Sequence, residues 1–169
     1  LCTALLFKNF KHQALAFQQK GSYVFHEQEV VGMDSMPYTI ECTKTALGTK
    51  FFWALALEGE GAIEKYIDYT FELAKYFYNQ LKKEEHFELP YSPESNILCF
   101  RYVKESNSNE FQKKLRYSII YRKKFYITSC EMNGLRYLRV VLLNPETSKI
   151  ELGNLIEEIK IISKKLSNE

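Results

Sequence analysis

The residues able to do acid–base, nucleophilic or metal chemistry are few in this chain and widely scattered. Its three histidines are His12, His26 and His86. Neither H-E-x-x-H nor G-x-S-x-G occurs, so no zinc or serine hydrolase can be assembled from local motifs. Each histidine has a plain structural or solvated role open to it, and His26 is the one to watch because it falls in an irregular stretch. The four cysteines, Cys2, Cys42, Cys99 and Cys130, stand singly and far apart. That excludes a C-x-x-C half-site and a compact disulfide framework, and it fits reduced thiols in a cytoplasmic protein.

Cationic residues offer more. Arg116, Tyr117, Tyr121, Arg122, Lys123 and Lys124 form a basic and aromatic cluster, whose plainest role is the solvated last turn of a helix, where cations complement the dipole. Arg136 and Arg139 lie on the apolar strand pattern that runs to Leu143. Their odd spacing points them to opposite faces, so one can be solvated and the other cannot. An arginine held on such a strand needs a carboxylate or phosphate, either as a ligand or as an internal salt bridge to Asp or Glu.

Composition narrows the classes. The 23 Lys+Arg against 21 Asp+Glu give a net charge of +2, which is too small an excess for dedicated nucleic-acid binding through counterion release. With 46% hydrophobic residues the chain can bury a core, so disorder is excluded. There is no G-x-G-x-x-G and no G-x-x-x-x-G-K, so neither glycine-rich phosphate cradle is present. No apolar run reaches the roughly 18 residues that a membrane helix needs.

The elements that must position these residues follow from periodicity. Leu1 to Lys8 reads as a short buried strand. It has the pattern of a strand from its first residue rather than of a leader, as expected of a chain cut from something longer. From Phe10 to Val31 no period holds, as in a functional loop. A helix is expected over 43–57, with Ala46, Leu47, Phe51, Ala54 and Leu55 or Leu57 buried and Gly59 and Gly61 ending it. A second helix carries Ile63, Tyr66, Ile67, Thr70, Ala74, Phe77, Tyr78 and Leu81 on one stripe, with Lys82 and Lys83 at its end.

A strand follows over about 96–103, then a helix with Phe111, Leu115 and Ile119, capped by Asn107 and Glu110. Asn133-Gly134 joins two strand patterns into a hairpin, since both residues tolerate positive φ. Ser148 and Glu151 form a capping box ahead of a last helix with Leu152, Leu155, Ile156, Ile159 and Leu166. The later part is thus a small α+β layer of helices on an antiparallel sheet.

Several segments together resemble the group II pyridoxal-phosphate decarboxylases of glutamate, cysteine sulfinate, aromatic amino acids and diaminobutyrate. They are Leu1 to Lys8, Gly21-Ser22-Tyr23-Val24-Phe25, Ile40-Glu41-Cys42-Thr43-Lys44, Lys50-Phe51-Phe52-Trp53, Asn96 to Phe100, and Leu138 to Pro145. The match lies in their order and spacing over nearly the whole chain. The resemblance implies an α/β fold, the C-terminal part of a fold type I (aspartate aminotransferase-like) enzyme. Residues 1–60 would end the cofactor-binding large domain, including a catalytic loop at about 10–36, and 61–169 would form a small C-terminal α+β domain of antiparallel strands and helices.

What the resemblance implies for chemistry is decarboxylation of an L-amino acid on pyridoxal 5′-phosphate through a quinonoid intermediate. The Schiff-base lysine of the family belongs to a His-Lys motif before the segment like Leu1 to Lys8, so no cofactor-binding residue is expected within this chain, and the chain alone is expected to be inactive. Tyr23 resembles the loop tyrosine proposed to protonate the substrate carbon in the partner subunit of a homodimer; packing in a loop is its plain alternative. Arg139 resembles the arginine that holds a carboxylate of substrate or product. Lys44 stands where many relatives carry arginine, and Cys42 and Lys50 match as structural positions. Two rival expectations remain: a non-catalytic α+β interaction module, and an aminotransferase of the same fold.

Overall fold

A computed structural model describes residues 4–17 and 45–167 of the chain. The chain divides into two compact units, Leu1–Gly59 and Glu60–Glu169.

In the first unit, residues 4–7 have no regular structure, and Leu5 and Leu6 are exposed. The strand expected over Leu1 to Lys8 is therefore not formed in its described part, because a strand needs a neighbour for its backbone groups and none of the described residues pairs with it. Two helices follow, α1 (Phe10–Phe17) and α2 (Leu47–Glu58). Helix α1 replaces the irregular backbone expected from Phe10, and Phe17 meets Phe7 edge to face with ring centroids 6.1 Å apart. Helix α2 lies where periodicity places it and ends at Gly59, whose φ of 76° suits only glycine. Its apolar stripe covers nothing among the described residues: Phe51, Phe52 and Trp53 are all more than half exposed.

The second unit is a two-layer α+β domain. It comprises α3 (Glu60–Leu81), β1 (Phe87–Glu88), β2 (Ile97–Tyr102), α4 (Asn109–Tyr121), β3 (Thr128–Met132), β4 (Leu135–Val141) and α5 (Lys149–Leu166). The four strands are all antiparallel to their neighbours, in the order β1-β2-β4-β3. Gly61 does not break α3; the break is at Gly59 alone, since a glycine one residue inside a helix needs no unusual φ.

Strand period and helix period meet in one core. Leu98, Phe100 and Tyr102 of β2 and Leu138 and Val140 of β4 face the helices. Against them pack Leu73, Ala74, Phe77 and Leu81 of α3, then Phe111, Leu115 and Ile119 of α4, then Leu152, Leu155, Ile156, Ile159 and Ile162 of α5. Each such side chain taken from water contributes on the order of 1.5–3 kcal/mol, so this interface outweighs any single polar contact.

Polar contacts set the register. Asn133 (φ 52°) and Gly134 (φ 76°) make the tight turn of the β3–β4 hairpin. The cap of α4 is Ser108, whose Oγ accepts from the Phe111 N–H at 3.1 Å, one residue later than the Asn107 expected. Asn107 is used elsewhere, on Arg101. The Ser148–Glu151 capping box forms as expected, and its hydrogen bond from Ser148 lowers the Glu151 pKa. Gln112, fully buried on α4, grips Tyr102 by both backbone groups: Nε2 donates to its carbonyl at 2.8 Å and Oε1 accepts from its N–H at 3.4 Å.

The largest fully buried side chain is Arg101 of β2. Its Nη1 donates to Asn109 Oδ1 (3.1 Å) and the Arg136 carbonyl (2.9 Å), and its Nη2 donates to the carbonyl and Oδ1 of Asn107 (both 2.7 Å). Glu88 of β1 lies 3.6 Å from its Nε and is about half exposed. Removing the guanidinium strands these acceptors, so Arg101→Met should destabilise the domain by about 3 kcal/mol or more. Glu88→Gln, at a half-solvated contact, should cost under about 1 kcal/mol. Urea unfolding of the two variants checks the order; a larger loss in the glutamate variant would refute it.

Candidate functional site

Alternation along the strands leaves a second sheet face, away from the helices. Cys99 of β2 and Thr128 of β3 stand opposite Arg139 of β4 in the ladders, and Cys130 stands opposite Tyr137, so these side chains share that face. Tyr91, in the segment before β2, covers part of it: its hydroxyl donates to Cys99 Sγ at 3.2 Å. Cys99 Sγ lies 3.5 Å from Cys130 Sγ.

Arg139 is half-buried, and Thr128 Oγ1 donates to its carbonyl at 3.0 Å. Among the described residues its guanidinium makes no ion pair, so the internal salt bridge open to it in the sequence is not formed there. Arg136, on the opposite face, is paired with Glu131 and donates to Ser129 Oγ at 3.2 Å. Both arginines are therefore partly buried, and the strand arginine fully withdrawn from water is neither of them but Arg101.

The neighbours of Arg139 do not neutralise it. Burial, then the hydrogen bond with Cys99, pushes the Cys130 thiol up to about 11. The bond to Cys99, then burial, pushes the Tyr91 hydroxyl up to about 12. Both groups are uncharged at neutral pH, so a guanidinium with unspent donors faces thiols and a phenol. Such a site can take a carboxylate through paired charge-assisted hydrogen bonds.

Residues 1–103 match the pyridoxal-dependent decarboxylase conserved domain. That is more than half of the chain. The chain belongs to this family. Two similar proteins are the acidic amino acid decarboxylase of Mus musculus, 27% identical over 94% of this chain and 32% of its own length, and the aromatic-L-amino-acid decarboxylase of Manduca sexta, 26% identical over 94% and 31%. The crystal structure of mouse CSAD in apo form is 22% identical and superposes with a TM-score of 0.71 over 81% of this chain and 32% of that one. That likeness establishes the fold, the C-terminal part of a fold type I enzyme with its small antiparallel α+β domain. The chain spans about a third of the length of the curated relatives it matches.

Pyridoxal 5′-phosphate is the cofactor of the family. A site for it needs a lysine for the imine, donors for the phosphate and a carboxylate for the ring nitrogen. The described residues do not assemble that set. One cleft of about 520 Å³ joins Lys165 to Tyr117, Ile120, Tyr121, Ile162 and Leu166, an apolar wall. Its one other cation, Arg122, is held by buried Glu158. A cleft of about 460 Å³ gathers Lys83, Lys104, Lys160 and Lys164, but with Glu84, Glu85 and Glu105, which oppose a phosphate. The cofactor does not fit the described residues.

Other sequence candidates resolve as follows. Tyr23, His26, Cys42 and Lys44 lie outside the described residues. Lys50 and His12 are exposed, and His86 meets Tyr102 edge-on at 6.3 Å. The basic cluster on α4 is mostly employed structurally: Arg122 and Lys124 both pair with buried Glu158, and Arg116 Nε donates to the Ile127 carbonyl at 3.1 Å. Among the described residues no helix is long and apolar enough to cross a membrane, and no cluster of three or more His, Cys, Asp and Glu could hold a metal. Tyr91 and the Cys99–Cys130 contact escape sequence reasoning, because the cysteines are 31 residues apart and meet only through strand order.

A raised folded-state pKa contributes stability that is complete below the unfolded value and is lost as pH climbs through the folded one. For Cys130 that window runs from the ordinary 9.0 to about 11, and for Tyr91 from 10.0 to about 12. Stability should therefore fall between pH 9 and 12, and Cys130→Ser should flatten the lower part of the fall. Urea midpoints measured at stepped pH check this; identical slopes in both proteins would contradict it.

Proposed function

We propose that these residues form the C-terminal portion of a pyridoxal-phosphate-dependent carboxy-lyase that removes carbon dioxide from an L-amino acid. The observation that carries the reading is the unneutralised guanidinium of Arg139 on a half-buried sheet face in a chain of this family. Arg139 would hold a carboxylate of the substrate with two parallel N–H donors, in surroundings drier than water and so more favourable to the pair. Tyr23 falls within the matched residues 1–103. We assign its hydroxyl to deliver the proton to the carbon that has lost carbon dioxide, on a loop over about 10–36 that closes the site against water.

On this reading residues 1–60 complete a large domain and 61–169 form the small one. The site is shared across a homodimer, and the protein is a cytoplasmic enzyme of carboxylic acid metabolism, without nucleic-acid or membrane partners. An acidic substrate is favoured, because Arg139 can bind a second carboxylate and a similar mouse protein is named for acidic amino acids. The aromatic amino acid decarboxylase of Manduca sexta matches nearly as well, which keeps an aromatic substrate as the second reading.

A family-length protein that ends in these residues should release carbon dioxide from an acidic amino acid, whereas the 169-residue chain alone should release none. Arg139→Ala should raise KM about tenfold to a hundredfold, with Arg139→Lys intermediate. Tyr23→Phe should lower kcat by about 10² or more with little change in KM. An unchanged KM in Arg139→Ala would remove the assignment of the arginine, and amino-group exchange with a keto acid without gas release would replace the lyase by an aminotransferase.

A further inference from the structure

The two thiols on the open sheet face approach each other across an intervening strand. Cys99 is on β2 and Cys130 on β3, and β4 runs between them. They are also two residues out of register, Cys99 standing opposite Arg139 and Cys130 opposite Tyr137. The sulfurs nevertheless approach to 3.5 Å.

Two zinc–sulfur bonds of about 2.3 Å span a 3.5 Å separation at an S–M–S angle of about 100°, close to tetrahedral, and a slight opening of the pair reaches it. The Tyr91 oxygen, 3.2 Å from Cys99 Sγ, supplies a third donor on the same side. Access runs past Tyr91, which is exposed, and Cys130, which is half-buried, while Cys99 is almost fully covered. Arg139 stands opposite Cys99 in the ladder, so its charge lies beside the negative charge that two thiolates would bring.

We propose that Cys99 and Cys130, with the Tyr91 hydroxyl beside them, form a binding site for one thiophilic divalent cation of the zinc and cadmium kind. Binding replaces two S–H protons by two metal–sulfur bonds, so two protons leave to solvent for each ion bound, and no oxidant or reductant takes part.

Cadmium chloride added to the reduced 169-residue chain tests it. One equivalent should produce a thiolate-to-cadmium absorption band, release two protons in weak buffer, and be displaced by excess zinc. On the same wild-type chain, cadmium should protect Cys130 from alkylation while Cys2 and Cys42 still react, as read by peptide mass. The band should persist in Cys2→Ser/Cys42→Ser and vanish when Cys130→Ser is added. Tyr91→Phe should keep the band and weaken affinity about tenfold. Absence of the band in the wild-type chain, or protection of Cys2 and Cys42 in place of Cys130, would overturn the proposal; the mapping on unaltered protein holds even if a serine variant fails to fold.

Discussion

A guanidinium taken wholly out of water at Arg101 constrains this domain more tightly than any other single group. Hydrophobic packing favours a compact state but tolerates small slides of one layer over another. A buried cation does not, because every unpaired N–H costs desolvation that nothing returns. Its acceptors come from separate pieces of chain: Asn107 in the loop before α4, Asn109 at the start of α4, and the Arg136 carbonyl on β4. Satisfying it fixes the approach of helix, loop and strand at once. Asn109 extends the clamp, since its Oδ1 also accepts from the Arg136 N–H at 2.8 Å and its Nδ2 donates to the Gly134 carbonyl at 2.8 Å. The hairpin turn is thus held to the helix start, and with it the register that puts Cys99 and Thr128 opposite Arg139.

A second polar device works at the other side of the same strand. Gln112 presents to Tyr102 an acceptor and a donor spaced as a neighbouring strand would present them. Strand β1 is only two residues long and pairs with the end of β2. The ladder of β2 with β4 ends at Phe100 and Leu138, so the amide satisfies the Tyr102 backbone groups beyond its end. Glu158 ties down the loop after α4 by ion pairs, Arg122 and Lys124 converging on its one buried carboxylate.

How far this was legible in the sequence depends on whether the cause is local. The hairpin at Asn133-Gly134, the box at Ser148 and Glu151, and the stripes of α3, α4 and α5 arise from neighbours in the chain, so spacing suffices to find them. The stripe of α2 was found too, yet it covers nothing described, because periodicity tells which face is apolar and not what lies against it. Leu1 to Lys8 has strand composition, but pairing is non-local, and its described part stays unpaired. The shift of the α4 cap from Asn107 to Ser108 has a non-local cause as well: Asn107 is drawn to Arg101. Likewise Arg139 was recognisable from an apolar strand, whereas the contact of Cys99 with Cys130 needed the strand order β2-β4-β3, which no spacing rule supplies.

The contrast between two arginines on one sheet face bears on function. Arg101 and Arg139 sit on adjacent strands of the same sheet face, two residues apart in register. At Arg101 the loop, the helix start and the Arg136 carbonyl of β4 supply four accepting contacts, and the cation can be buried completely. At Arg139 the surroundings are a phenol and two thiols, groups that are uncharged at neutral pH in the cases of Tyr91 and Cys130 and that bring no anion. The cation there can only be half-buried, since water must do what the protein does not. Part of its hydration is already lost, however, and a carboxylate arriving at such a site has less solvent to displace than it would meet at a surface arginine. Among the described residues the fold thus leaves unpaired a strand arginine whose charge a ligand could use, and gives acceptors to both terminal nitrogens of the one it buries completely.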